Sequence, residues 1–308
     1  MVKIRAGPNA TLAVPWALST NDTLEVPYIM RALEPEVVDA VWAAVEPLLP
    51  SRKDEHPLGC HRPRVPDRIC FEAMLIRLVT GCSWVDAEQL VGRAVSDTTL
   101  RMRRSEWVKA GVFDRLVDEA LSAYDKVVGL DLSEVAIDGS LHKAPTGGEG
   151  TGRSPVDRGK LGWKWSMAAD RFGIPIGWAT AGANCNDCVM LPGTLAAVAM
   201  RGLLPDIETL HLDRGYDNPI VRAEVAAAGI DDLVCNRRRP ARAKRQRPKP
   251  EPLGLRWPVE RTNSWFSNFG QMRRNTDRKA SHRFAQMALV VTLLLTAKLI
   301  DWRDRWAF

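Results

Sequence analysis

At Gly129 the hydrophobic period of this 308-residue chain changes, and the change limits the fold more than any other feature. Before it, apolar residues recur at helical spacing. After it, short apolar runs alternate with amphipathic stretches and glycine-rich turns. The first run, Val135-Ala136-Ile137, ends at Asp138. The text WKWSMAADRFGIPIGWATA reads as two strands, 163–169 and 174–180, joined by a Gly-Pro turn. A helix is expected over 189–201, then a strand ending at Asp213, a helix over 219–228 and a strand in DDLVCN. A helix from about Trp257 and a long apolar helix from His282 follow. That order predicts an α/β domain: a mixed sheet with flanking helices. Residues 141–160, rich in glycine, proline and charge, are expected to form a loop.

The region before Gly129 reads as a small helical domain. A helix begins near Pro35, carries Val38, Val41, Trp42 and Val45 on one side, and ends at Pro47 and Pro50. A loop covers 51–67. Further helices are expected over 67–79 (stopped by Gly81), over 84–91, from a cap at Ser96 or Asp97 to Gly111, and over 113–124. The division is thus an irregular segment 1–32, a helical part 33–128 that is a candidate for DNA binding, and an α/β part 129–303. Arg101, Arg103 and Arg104 lie on the fourth helix, which after two short helices and a turn is where a recognition helix would stand. Three arginines on a helix also suit a solvated face.

Net charge is +6, yet residues 237–249 hold eight Arg or Lys and no acid, so the rest of the chain carries −2. Basicity is therefore one segment: Arg237, Arg238, Arg239, Arg242, Lys244, Arg245 and Arg247 are candidate contacts to nucleic-acid phosphates. Cys185 and Cys188 form a lone C-x-x-C with no second pair at zinc spacing, and six scattered cysteines fit a reducing cytosol. Residues 1–30, broken by Pro8, Pro15 and Pro27, show no signal-peptide core. The most apolar stretch, 288–297, falls short of the ~20 residues of a membrane span and reads as a buried helix.

Asp138 and Asp213 share a local pattern: an apolar strand, an acid, then a glycine within two residues. Ligand sites in α/β sheets gather at strand carboxyl ends, so both positions invite one site. Glu260 stands in the first turns of the helix that Pro258 opens, with Arg256 before it and Arg261 after. Carboxylates brought together need a counter-ion, and hard divalent cations prefer oxygen ligands. Two such ions about 4 Å apart clamp the attacking and leaving oxygens of a phosphodiester. An acid at a strand end can also be a turn former or cap.

On these residues the chain resembles bacterial transposases of the insertion-sequence 4/5 group. The resemblance is carried by AIDGS (136–140), GANCND (182–187), LDRGYDN (212–218) and RWPVERTNSWFSNFGQMRRNTDR (256–278). It implies an RNase H-like catalytic domain in which Asp138 and Asp213 are the metal-binding aspartates, Glu260 the glutamate, and Arg256 the arginine four residues before it. The stretch 59–90 is similar to the helical domain that precedes the core in that group. Leu253 and Ser267 stand where a fuller signature has tyrosine and a basic residue, which favours the insertion-sequence 5 branch. Arg273 and Arg274 are candidates for the missing charge.

The activity so implied is metal-dependent cleavage at transposon ends followed by strand transfer, with Mg²⁺ or Mn²⁺, two ions, as cofactor. Double-stranded DNA, as terminal repeats and target, is the partner. A dimer is expected in the DNA complex, with no membrane association, in the bacterial cytoplasm at the nucleoid. Arg256 and Arg261 either contact phosphates or pair with the acids. Asn186 and Asp187 are placed near the core or serve as turn and cap residues. Asp217 closes the Gly-Tyr turn, and Tyr216 lacks the arginine and histidine setting of a recombinase nucleophile. His142 and His211 read as core or surface histidines. Competing readings are an inactive or domesticated transposase acting as a DNA-binding protein, and a metal-dependent nuclease without transfer.

Overall fold

The computed structural model describes residues 31–51, 63–235 and 254–306. The basic segment 237–249, Leu253 and residues 1–30 therefore lie outside the described residues, and with them the expectations for Arg237, Arg238, Arg239, Arg242, Lys244, Arg245 and Arg247.

Helices α1 (Pro35–Val45), α2 (Asp67–Thr80), α3 (Trp84–Leu90), α4 (Asp97–Lys109) and α5 (Val112–Val127) come first. Their ends follow local chemistry. Gly81 takes the left-handed conformation (φ 77°) that stops α2. Ser83 and Asp86 form a reciprocal capping box on α3, and the Ser96 side chain accepts from the Thr99 N–H to cap α4.

The sheet follows, with β1 (Glu134–Lys143), β2 (Gly152–Arg153), β3 (Leu161–Ala169), β4 (Pro175–Gly182), β5 (Thr209–Leu212) and β6 (Asp232–Val234). β3 pairs antiparallel with β1 and with β4, β5 runs parallel to β1, and β6 runs parallel to β5. Helices α6 (Asp187–Met200), α7 (Pro219–Ala227), α8 (Trp257–Asn268), α9 (Gly270–Arg273) and α10 (Ala280–Trp306) flank it. An antiparallel run continued by two parallel strands is an RNase H-like sheet, as the resemblance implied.

Two sequence expectations are corrected here. β1 does not end at Asp138 but runs five residues further, because β3 keeps pairing with it as far as Lys143↔Gly162. What ends beside Asp138 is the parallel pairing with β5, whose last partners are Ile137↔Leu212. Residues 141–160 are likewise not all loop: they hold the end of β1 and the short β2, which pairs with Leu161 and Gly162.

Side chains alternate between the two faces of the sheet. Val135, Ile137 and Ala168 join Leu191, Leu195, Val198, Val221 and Val225 in the core beneath α6 and α7. Ala136, Trp163, Trp165 and Met167 join the larger core on the other face, shared by α8, α10 and helices α1 to α5. Four of the chain's tryptophans, Trp107, Trp163, Trp165 and Trp178, are fully buried. By length and composition α10 is one helix among the described residues that passes as membrane-crossing, but 72% of its apolar window is buried within the fold. It is the core helix expected from 288–297, longer than the apolar stretch itself.

The β3–β4 turn is built on a buried acid. Asp170, with no exposed surface, accepts backbone N–H bonds from Phe172 (2.9 Å), Ile174 (2.7 Å) and Asp131 (3.3 Å). Burial pushes its carboxyl up to about 7 against those three donors. The folded protein thus holds this proton to higher pH than the unfolded chain, where the value is ~3.9. Stability from this group is fullest below that value and is lost as pH rises through about 7. Asp170→Asn is expected to lack this decline. Urea midpoints of both proteins at pH 5 and pH 8 check it, and an equal change in the two would refute it.

Candidate active site

Asp138 lies in β1 with its side chain on the α8 face, since Ala136, two residues before, packs into the core on that side. Asp213 follows β5 and accepts the Arg214 N–H at 2.6 Å, capping a short 3₁₀ turn, Arg214–Tyr216. Glu260 stands in the first turn of α8, where the helix dipole favours an acid. The parallel pairing of β1 with β5 ends at Ile137↔Leu212, so the two aspartates stand side by side just beyond it, and α8 brings the glutamate to them.

Arg256 gathers them. Its guanidinium is 3.4 Å from Asp213, 3.2 Å from Glu260 and 3.8 Å from Asp138. One half-exposed cation thus faces three carboxylates that are far apart in sequence. Burial raises the Asp138 carboxyl above its ordinary value. The Gly139 N–H and Arg256 oppose that shift, while Asp213 and Asp187 add to it. Of the two roles left open for Arg256, the structure has it paired with the acids.

Arg261 is held elsewhere. It donates to the Phe172 carbonyl, and its guanidinium stacks 4.6 Å from the Trp257 ring and 4.8 Å from Trp265. The next two residues also anchor α8. Thr262 Oγ1 donates to the Gly173 carbonyl at 2.6 Å, and Asn263 Oδ1 accepts from Trp165 Nε1 at 2.8 Å. Three consecutive residues after Glu260 therefore tie its helix to the β3–β4 turn and to β3. The sequence offered their identity but not this duty, because their partners lie about ninety residues away.

The helical cluster needs a correction. Arg103 and Arg104 are buried, at 4% and 8% exposure, and are spent inside the fold. Arg103 pairs with Asp67 and donates to the Val65 carbonyl, and Arg104 donates to Asp277 at 2.6 Å. Both guanidinium groups are thus turned into the fold and not onto a solvated face. Arg101 is exposed and pairs with Asp97. Arg273 and Arg274 are exposed, and Arg274 bridges to Lys143 at the end of β1.

Other residues singled out from sequence have structural partners. Asn186 caps α6 by accepting the Cys188 N–H. Asp217 pairs with Arg222. Tyr216 is buried, and burial drives its hydroxyl well above the ordinary range, which suits no nucleophile. His142 stacks on Trp165 at 3.8 Å, and burial lowers it to about 3. His211 Nδ1 accepts the Leu255 N–H. Cys188 lies against the Gly215 carbonyl.

Two family models match the chain. One described as "Putative transposase of IS4/5 family" covers residues 37–117, and one described as "Transposase DDE domain" covers residues 129–296. "Putative transposase for insertion sequence element IS402" of Burkholderia cepacia is 32% identical over 150 residues, which is 47% of this chain and 67% of that protein. "Insertion element IS402 uncharacterized 16.2 kDa protein" of the same organism is 32% identical over 122 residues, 40% of this chain and 82% of that protein. A solved structure, "Crystal structure of a pre-cleavage Mos1 transpososome", is similar at a TM-score of 0.25 and 10% identity, over 60% of this chain and 63% of that one. The DDE-domain match takes in more than half of the chain and contains all three converging acids, and the chain belongs to the DDE transposase family.

Proposed function

We propose that this transposase cuts DNA at transposon ends and joins the freed strand to target DNA, using Asp138, Asp213 and Glu260 as its reacting acids. The observation that carries the reading is the convergence of the three carboxylates on the Arg256 guanidinium. Among the described residues no three His, Cys, Asp or Glu are drawn close enough to form a ready-made metal cage. The donor set nevertheless fits divalent metal: three hard oxygen donors face one shared cationic centre, which is the charge a metal ion would supply. Mg²⁺ or Mn²⁺, two ions held by these acids, would supply Lewis-acid activation of the attacking oxygen and charge relief for the leaving one. Arg256, relieved of the acids, would be free to meet a phosphate of the bound strand. The anchored α8 holds Glu260 at fixed height over Asp138 and Asp213.

DNA contact in this reading is divided. The segment 237–249 supplies phosphate contacts without sequence preference. Arg101 on the helical part 33–128 and the pair Arg273 and Arg274 beside β1 add to them, while 129–303 is the catalytic part. Two ends must be paired, so the active form is a dimer on DNA, and the compartment is the bacterial cytoplasm. Replacing Arg273 and Arg274 together with alanine is expected to weaken binding about equally across sequences and to reduce the salt slope of binding by about 2. Fluorescence anisotropy at several salt concentrations measures both. An unchanged slope would remove these arginines from the contact surface.

The test of function uses a labelled duplex carrying the element's terminal repeat, with Mg²⁺ or with EDTA. Metal-dependent nicking at the repeat boundary is expected, followed by joining to a plasmid. Tight binding without cutting would sink the enzyme reading in favour of a DNA-binding relic, and cutting without joining would leave a nuclease.

A further inference from the structure

β3 carries a lysine on a face that is otherwise packed. Trp163, Trp165 and Met167 fill the core toward α8 and α10, while Ala168 fills the one beneath α6. Strand alternation therefore puts Lys164 and Ser166 on the α6 side. There Ser166 meets Thr194 of α6 at 2.8 Å. Lys164 is 8% exposed, so its ammonium is withdrawn from solvent and needs a compensating charge. Its Nζ stands 2.7 Å from Asp187 Oδ1 and donates to the Cys185 carbonyl at 3.1 Å.

Asp187 is the first residue of α6, and its carboxylate presses on Gly139. A Cβ at Gly139 would come within 2.2 Å of Asp187 Oδ1, so glycine is what admits the carboxylate. Gly139 is the neighbour of Asp138. The Lys164–Asp187 pair thus backs β1 at Gly139, on the face opposite the Asp138 side chain. The charge of Asp187 reaches both Asp138 and Tyr216.

We infer that Lys164 and Asp187 are a charge-balanced support that sets the cation affinity of the three-acid site: Asp187 braces Gly139, and Lys164 cancels the negative charge that the brace would otherwise add. The inference rests on Asp138, Asp213 and Glu260 being the cation-binding acids. Both members are positioning residues. Their effects on affinity must have opposite signs. Neutralising Asp187 leaves an uncompensated ammonium behind the site and repels a cation. Neutralising Lys164 leaves an uncompensated carboxylate and attracts one.

The experiment is a titration of the full-length protein with Mn²⁺, followed by the paramagnetic resonance of free Mn²⁺, alongside thermal unfolding. Asp187→Asn is expected to weaken Mn²⁺ binding about three- to tenfold, and Lys164→Met to tighten it by a similar factor. The double variant should return to within about twofold of wild type, as should Lys164→Arg, which keeps the charge and covers the case in which Lys164→Met does not fold. A purely structural support would lower the melting temperature of each variant with Mn²⁺ affinity unmoved or moved in one direction, and that result would overturn the inference. Wild-type protein that binds no Mn²⁺ would instead remove the three-acid reading, and this inference with it.

Discussion

Asp213→Asn protein is expected to cleave a terminal-repeat duplex slower than wild type by a factor on the order of 10³ or more, about 4 kcal/mol of barrier. The substitution is nearly isosteric. The Asp213 oxygen that accepts the Arg214 N–H has a counterpart in asparagine, so the cap and the turn survive. What is lost is one negative charge of three facing Arg256, and one oxygen donor for a divalent ion. Asp138→Asn and Glu260→Gln should fall as far. A double variant should be little worse than either single one, because residues that act as a unit do not contribute additively. Single-turnover nicking assays with circular dichroism as a fold control make the measurement. Activity of a well-folded Asp213→Asn protein within about tenfold of wild type would exclude Asp213 from the reacting group.

The second large effect is on stability. Asp277 is buried where the N-terminal helices meet the start of α10, and it faces two buried arginines: Arg104 at 2.6 Å and Arg77 at 3.3 Å. Gln286 donates to it as well, at 2.7 Å. Both guanidinium groups also lie over the Trp84 ring. Asp277→Ala would leave two buried cations facing one another without their shared anion, a loss of about 3–5 kcal/mol. Urea denaturation measures it, and a loss under about 1 kcal/mol would show that solvent reaches the arginines. Burial pushes the Asp277 carboxyl up, but Arg104 and Arg77 outweigh burial and hold it below the ordinary value. Its contribution is therefore present above the unfolded value of ~3.9 and is lost as pH falls through the folded one. The alanine variant should lack that acid-side loss.

The helices before Gly129 were legible because their signals are local: Pro35 at a start, Ser96 at a cap, Gly81 at a stop. The three acids were legible for a similar reason, each carrying a short recognisable context. What escaped was set by partners distant in sequence. β1 runs past Asp138 through Gly139, Ser140 and His142, a polar text that reads as a turn, and only antiparallel pairing with β3 keeps it a strand. Arg103 and Arg104 look like a solvated or DNA-facing cluster until Asp67 and Asp277 supply their charges. Lys164 has nothing local in sequence to mark it as buried, and only strand alternation places it beside Asp187. Charge alone does not tell a buried pair from a binding surface.

The anchoring of α8 bears on how such a chain can diverge. The position of Glu260 is fixed by Arg261, Thr262 and Asn263 gripping the β3–β4 turn and β3. The third acid is therefore set by contacts to that hairpin turn and its strand. One residue added to that turn, between Asp170 and Ile174, would move the glutamate, so chains of this kind can diverge in length there only at the cost of the site.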